Sequence, residues 1–447
     1  MPCPHCLAIA RHESSPTAIT TPVFIMSQLV RVELTPGTVQ GLRGELVTRF
    51  SAIPYAQAPV GALRWKPPQP AIWQGTLDAT QAGPVAPQSP SRLRDVMGDF
   101  NARQDEDCLH LTVWTPGVDE RKRPVLIWLH GGAWQSGGGA LDWYDGSQLA
   151  GLGDVVVVGV NYRLAALGWL YQAGETANVG LLDQEAAIEW VYQHIHRFGG
   201  DPERITLMGQ SAGASCIAAL LMRRPRFHRA ILQSAALDTS FRTPEAATVV
   251  SQALLQAVGV NDLEEARLRP WQDLLKAQSA PEVMQAMQAE RGRRSLFCLV
   301  ADGEVLPIDA EQSLISAATQ ADVLLGYTLD EMRAFPGMTD ATLARQYSDK
   351  VFGAPTRRWA ERAQAAGRQA WLYEFHHAPH VALGACHCIE LPFVFGTLPA
   401  FSQAAMLNGL SSEDAHRLTH EMQSAWIRFV RGEPLPWPAG PHRHRFV

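Results

Sequence analysis

Apolar positions in this chain follow two rhythms that alternate along its middle. Pro124 to Leu129 is an unbroken apolar run that ends in His130-Gly131-Gly132, as a buried strand entering a loop would. Asp154 to Val160 is rich in β-branched residues and bounded by Gly153 and Asn161, which again predicts a buried parallel strand. Leu181, Ile188, Val191 and Ile195 then recur at helical spacing until Gly199-Gly200-Asp201-Pro202 stops the run. Ile205 to Met208 reads as the next strand and Ala212 to Met222 as the next helix. Further strands are expected at Ala230 to Gln233, Val323 to Gly326 and Ala370 to Phe375. Strands alternating with helices imply a mostly parallel sheet covered on both faces, an α/β architecture. Pro244 to Ala289 is helical and surface-like, and is expected to cap the sheet.

Composition narrows the class. The 447 residues are 46% apolar and 18% charged, an ordinary balance for a folded globular chain. A net charge of −6 offers no basic face for nucleic acid. The most apolar run, Val155 to Val160, falls far short of the roughly 20 residues that span a bilayer. His12, Glu13 and Pro16 interrupt any apolar core near the N-terminus, so a signal peptide is not expected. Met26 opens a segment that looks like a domain start. Residues 1–25 are therefore expected to be a disordered extension or the product of a start site placed too early, with 26–447 a single domain. The seven cysteines cannot all pair, which favours a reduced, cytoplasmic protein. Cys3-Pro4-His5-Cys6 has the look of a redox or zinc half-site, but no βαβ pattern or second ligand pair follows it, and no role is expected.

The chemistry gathers at Gly209-Gln210-Ser211-Ala212-Gly213, between a predicted strand and a predicted helix. In that setting the pentapeptide reads as a nucleophile elbow, whose glycines let the chain turn sharply and lift the serine hydroxyl out at the helix start. Without the setting it would be a glycine-serine turn. A serine hydroxyl is a weak nucleophile and needs a base, which in turn needs an orienting carboxylate. It also needs donors aimed at the developing oxyanion. His130-Gly131-Gly132-Ala133 suits that role because small residues bring backbone N–H groups close to a substrate oxygen, and the residue after the nucleophile, Ala212, adds another. Fifteen histidines leave the base undetermined by spacing alone.

Ordered blocks resolve this by resemblance. They include Ile53-Pro54-Tyr55-Ala56, Glu106-Asp107-Cys108-Leu109, His130-Gly131-Gly132-Ala133, Asn161-Tyr162-Arg163, Gly180-Leu181-Leu182-Asp183-Gln184, Asp330-Glu331, and His387 through Glu390 to Gly396. In these the sequence is similar to the type-B carboxylesterase (cholinesterase-like) family, over roughly Gly37 to Pro438. The resemblance implies an α/β-hydrolase fold with a helical cap region. It implies Ser211, Glu331 and His387 as catalytic triad and the N–H groups of Gly132, Ala133 and Ala212 as oxyanion hole. It also implies structural ion pairs Arg64–Glu106 and Arg163–Asp183. The expected activity is that of a carboxylesterase acting through an acyl-enzyme on neutral short- to medium-chain or aryl esters. No cofactor, metal or membrane span is expected, and a monomer is compatible with the sequence. Trp134, beside the oxyanion loop, could line the pocket or sit in the core.

The sequence departs from the family pattern in several places. Gln210 replaces the acidic residue that usually precedes the nucleophile, which argues against choline esters. Ala86 stands where a cysteine often pairs with Cys108. Met332 and Cys388 replace small residues after the acid and the base. Rival readings are a metal site in the cluster His376, His377, His380, Cys386, His387 and Cys388, whose spacing fits no zinc template, and a non-catalytic binding module. A third keeps the machinery but cleaves amides, carbamates or lactones.

Overall fold

The computed structural model describes residues 28–223, 226–289 and 295–447. The Cys3–Cys6 motif and the expected extension 1–25 lie outside them. Among the described residues the backbone is a twelve-stranded mixed sheet. Seven neighbouring strands run parallel, in the order Val156–Val160, Arg123–Leu129, Gly200–Gln210, Arg229–Gln233, Asp322–Thr328, Ala370–Phe375 and Arg443–Phe446. On the Val156–Val160 side the sheet continues antiparallel through His110–Thr115, Thr48–Pro54, Gly37–Arg43 and Gln28–Leu34.

The unbroken apolar runs follow from this topology, because a central parallel strand is covered on both faces. Alternate side chains divide between two cores. Val125, Ile127 and Leu129 join Ile188 and Ile217 on one side, while Leu126 and Trp128 join Met422 and Trp426 on the other. The first layer holds the helices Val179–His194 and Ala212–Leu220. The second holds Ser412–Arg431, which starts where the Ser411 hydroxyl accepts from Asp414 N at 3.0 Å and ends at Gly432 in the left-handed region.

Several boundaries differ from expectation: the strand expected from Asp154 starts at Val156, and that expected at Val323–Gly326 runs Asp322–Thr328. The strand expected at Ile205–Met208 is part of Gly200–Gln210, whose pairing with Arg123–Leu129 slips between Arg123 and Val125 and so absorbs the Gly-Asp-Pro turn. The following helix ends at Leu220, two residues before Met222. The segment expected to cap the sheet folds as four helices, Pro244–Val258, Leu263–Arg267, Trp271–Ala277 and Pro281–Ala289. They pack Val250, Leu254, Leu274 and Val283 onto the first core. No helix among the described residues is long and apolar enough to cross a membrane.

Candidate active site

The strand Gly200–Gln210 ends at Gln210 and the next helix begins at Ala212, so Ser211 alone makes the turn. It takes φ 55° and ψ −121°, a conformation costly for a residue with a Cβ. Its N–H is tied to Gln233 O at 2.8 Å. A Cβ at Gly213 would lie 2.1 Å from Leu129 O, so the helix can cross the neighbouring strand this closely only with glycine there.

The loop after Arg123–Leu129 brings Gly132 and Ala133 beside this turn, with φ of 107° and 54°. The amide N–H groups of Gly132, Ala133 and Ala212 have no acceptor among the described residues. Several side chains fix the loop. Gln88 grips Gly137 from both sides, its Oε1 accepting from Gly137 N at 2.6 Å and its Nε2 donating to Gly137 O at 2.8 Å. Asn161 Oδ1 accepts from Gly139 N at 2.7 Å. The Tyr162 hydroxyl donates to His130 O at 2.6 Å, and its ring stacks on the His130 imidazole. Burial holds that imidazole at a pKa of about 4, hence neutral.

Glu331 follows Asp322–Thr328 and is fully buried; its Oε1 accepts from Thr328 N at 2.9 Å. Its Oε2 accepts a short hydrogen bond from His387 Nδ1. The two segments are stitched by backbone as well, with His387 N donating to Glu331 O at 3.3 Å and Asp330 N to Ala385 O at 2.8 Å. Phe335 and Phe352 flank the imidazole at centroid distances of 5.3 and 5.2 Å. Burial opposes charge on His387, while the Glu331 carboxylate held against its Nδ1 favours it. Burial pushes the Cys388 thiol up, so it stays protonated. Gln210 Nε2 lies 3.1 Å from His387 Nε2.

Ser211, His387, Gly132 and Ala133 open onto one cavity of about 400 Å³. Its outer walls come from two excursions of the chain, one carrying Leu93, Met97 and Phe100, the other Gln278, Met284 and Met287. Glu331 lies behind the histidine, outside the lining.

Other expected positions resolve as follows. Trp134 is a core residue, donating to Cys216 Sγ at 3.3 Å and packing on Trp169. Arg64 pairs with Glu106 and Arg163 with Asp183, with closest side-chain contacts of 2.5 and 2.6 Å. Ala86 and Cys108 are buried, and Cys108 is free. No group of three or more His, Cys, Asp or Glu among the described residues is placed to hold a metal ion, the His376–Cys388 cluster included. Sequence reasoning missed Gln88, whose grip on Gly137 spans 49 positions and belongs to no motif. Asn161 and Tyr162 stood inside a recognised block, but their hold on the loop after Arg123–Leu129 did not follow from it.

The cavity sits beyond the carboxyl ends of the parallel strands that deliver residues 130–133, 211 and 331, the customary site position in open α/β sheets. Strand order and elbow together define an α/β-hydrolase. The sequence profile of the carboxylesterase family matches residues 27–344 and 333–443. The chain is 35% identical to para-nitrobenzyl esterase of Bacillus subtilis (strain 168), over 90% of this chain and 91% of that one. It is also 35% identical to phenmedipham hydrolase of Pseudarthrobacter oxydans, with the same coverage of 90% and 91%. A thermophilic PNB esterase structure superposes with a TM-score of 0.82 at 33% identity, covering 92% and 94% of the two chains. The chain belongs to the carboxylesterase family, and it is a serine-dependent carboxylic ester hydrolase.

Proposed function

We propose that Ser211 is the nucleophile, His387 the general base and Glu331 the carboxylate that orients it, in a carboxylesterase acting on neutral short- to medium-chain or aryl esters. The observation that carries this reading is that His387, held by the buried Glu331 behind it, opens onto the cavity of Ser211. A carboxylate can only accept, so the shared hydrogen sits on His387 Nδ1 and leaves Nε2 free to take a proton. In the first step His387 removes the hydroxyl proton as Ser211 Oγ attacks the ester carbonyl. The N–H groups of Gly132, Ala133 and Ala212 receive the oxyanion. The C–O bond to the alcohol then breaks and the alcohol leaves with the proton from His387. Water, activated by the same base, hydrolyses the acyl-enzyme and returns Ser211.

The preference for neutral esters is supported by the lining, in which no described residue carries a carboxylate. Leu93, Leu296, Met97, Met284, Met287, Phe100 and Phe335 line it beside Ser and Gln side chains and Arg92, and their apolar surface suits an apolar acyl or aryl group. The buried free cysteines support a reducing, cytoplasmic location, and the sheet shared by all the parallel strands supports a single catalytic domain from residue 28 onward.

The test is hydrolysis of a p-nitrophenyl ester series, acetate to decanoate, by wild type and Ser211→Ala. The substitution is expected to lower kcat by roughly 10⁴ to 10⁶. Retention of more than about a tenth of the wild-type rate would remove Ser211 from the role. The chain-length profile measures how deep an acyl group the cavity takes.

A further inference from the structure

Gln210 is 1% exposed, yet its amide reaches into the active-site cavity. Its two ends meet different parts of the site. Nε2 lies 3.1 Å from His387 Nε2. A methyl group placed on Gly131 would fall 2.5 Å from Oε1, so the amide oxygen rests on the backbone of the oxyanion loop. The side chain is thus wedged between that loop and the imidazole, directly before Ser211 in sequence.

The polarity of the contact is informative. His387 Nδ1 is committed to Glu331 Oε2, so in the neutral ring Nε2 carries a lone pair and no hydrogen. An amide NH₂ has only donors to offer, so its hydrogen bond is made to the neutral imidazole and is lost when Nε2 takes a proton. We propose that Gln210 is a positioning residue for the base, donating to His387 Nε2 to hold the imidazole in its proton-accepting form until the Ser211 hydroxyl takes its place. The proposal rests on the triad reading given above.

The groups facing His387 act in opposite directions. Glu331, from the segment after Asp322–Thr328, and Cys388 and Glu390, from its own segment, are the titratable neighbours; Phe335 and Phe352 contribute only apolar rings. Glu331 favours the imidazolium, while burial and the Gln210 amide favour the neutral ring. Removing the amide donor therefore shifts the balance toward protonation, and the enzyme needs a higher pH to recover its base. A side chain that merely filled space would leave that balance where it was.

The experiment is the pH profile of kcat/KM on a neutral p-nitrophenyl ester, from about pH 5 to about pH 10, for wild type and two variants. Gln210→Met keeps the length and loses the donor, and its acid limb is expected to move up by roughly 0.5 to 1 pH unit. Gln210→Glu places a carboxylate against the ring, and its limb is expected to move up by more than about one unit. An acid limb that stays in place, or moves down, in Gln210→Met overturns the proposal even if Gln210→Glu does not fold. Ser211→Ala and His387→Ala are run alongside. Activity surviving in those variants would sink the triad reading itself, whereas inactive triad variants with an unmoved Gln210→Met profile sink only the role of Gln210.

Discussion

Gly132 shows how much of this site depends on side chains that are not there. With φ at 107° and the Ser136 carbonyl oxygen 2.0 Å from where a Cβ would stand, alanine cannot be accepted without moving the loop. That movement would carry two of the proposed oxyanion donors out of line. Gly132→Ala is therefore expected to lower kcat by roughly 10² to 10³ while KM changes little, measured on p-nitrophenyl butyrate. An effect confined to KM would place Gly132 in substrate binding instead. The same residues explain what could be read beforehand. Glycines at 131, 132, 209 and 213 leave a visible trace because backbone crossings this tight exclude other residues. Gln88 leaves none, since glutamine is chemically unremarked until its amide is seen gripping Gly137, and Gln210 stood out only as a departure from the family pattern, not for its contact with His387.

Among elements, the site is a meeting of strand ends with one distant return. The proposed acid and base, Glu331 and His387, lie 56 positions apart, and their segments are joined by Asp330, which accepts from Ala385 N at 3.2 Å through Oδ2 and pairs with Arg345 at 2.9 Å. Asp330→Ala leaves the Ala385 amide and the Arg345 guanidinium without this partner. It is expected to cost roughly 1.5 to 3 kcal/mol in urea unfolding and to lower kcat more than it raises KM. Unchanged stability would mean that the backbone bonds alone hold the two segments together. Strands such as Arg123–Leu129 and Val156–Val160 announced themselves as continuous apolar runs, and each parallel strand expected from the sequence is present. The antiparallel strands went unread. Thr48–Pro54 and His110–Thr115 are mostly buried, but Thr, Arg, Ser and His interrupt their apolar residues. Gln28–Leu34 and Gly37–Arg43 are half-exposed near the sheet edge, and in Gln28–Leu34 only Val32 is fully buried. The proposed roles of Glu331 and His387 came only through resemblance, since nothing local distinguishes them from other acids and histidines.

For the whole molecule, the group to watch is Glu390, buried behind the base with its Oε1 accepting from Gln233 Nε2 at 3.1 Å and its Oε2 unpaired. Burial, aided by the nearby Glu331, raises its pKa to about 7. The folded state therefore binds this proton more tightly than the unfolded chain does. Its favourable contribution is complete below the unfolded carboxyl value of about 4.3 and is lost as pH rises through about 7. Glu390→Gln keeps the acceptor for Gln233 and cannot ionise. It is expected to flatten this part of the pH dependence and to gain on the order of 2 kcal/mol at about pH 8, read by urea unfolding at about pH 5 and pH 8. An unaltered pH slope would assign the dependence to another group.

The cavity has a divided parentage. Its chemistry comes from strand ends fixed on both sides by the core, while its outer walls come from two excursions, Ser89 to Phe100 and Gln278 to Met287. Descendants of such a chain can change diet by altering those two excursions while inheriting the reaction whole.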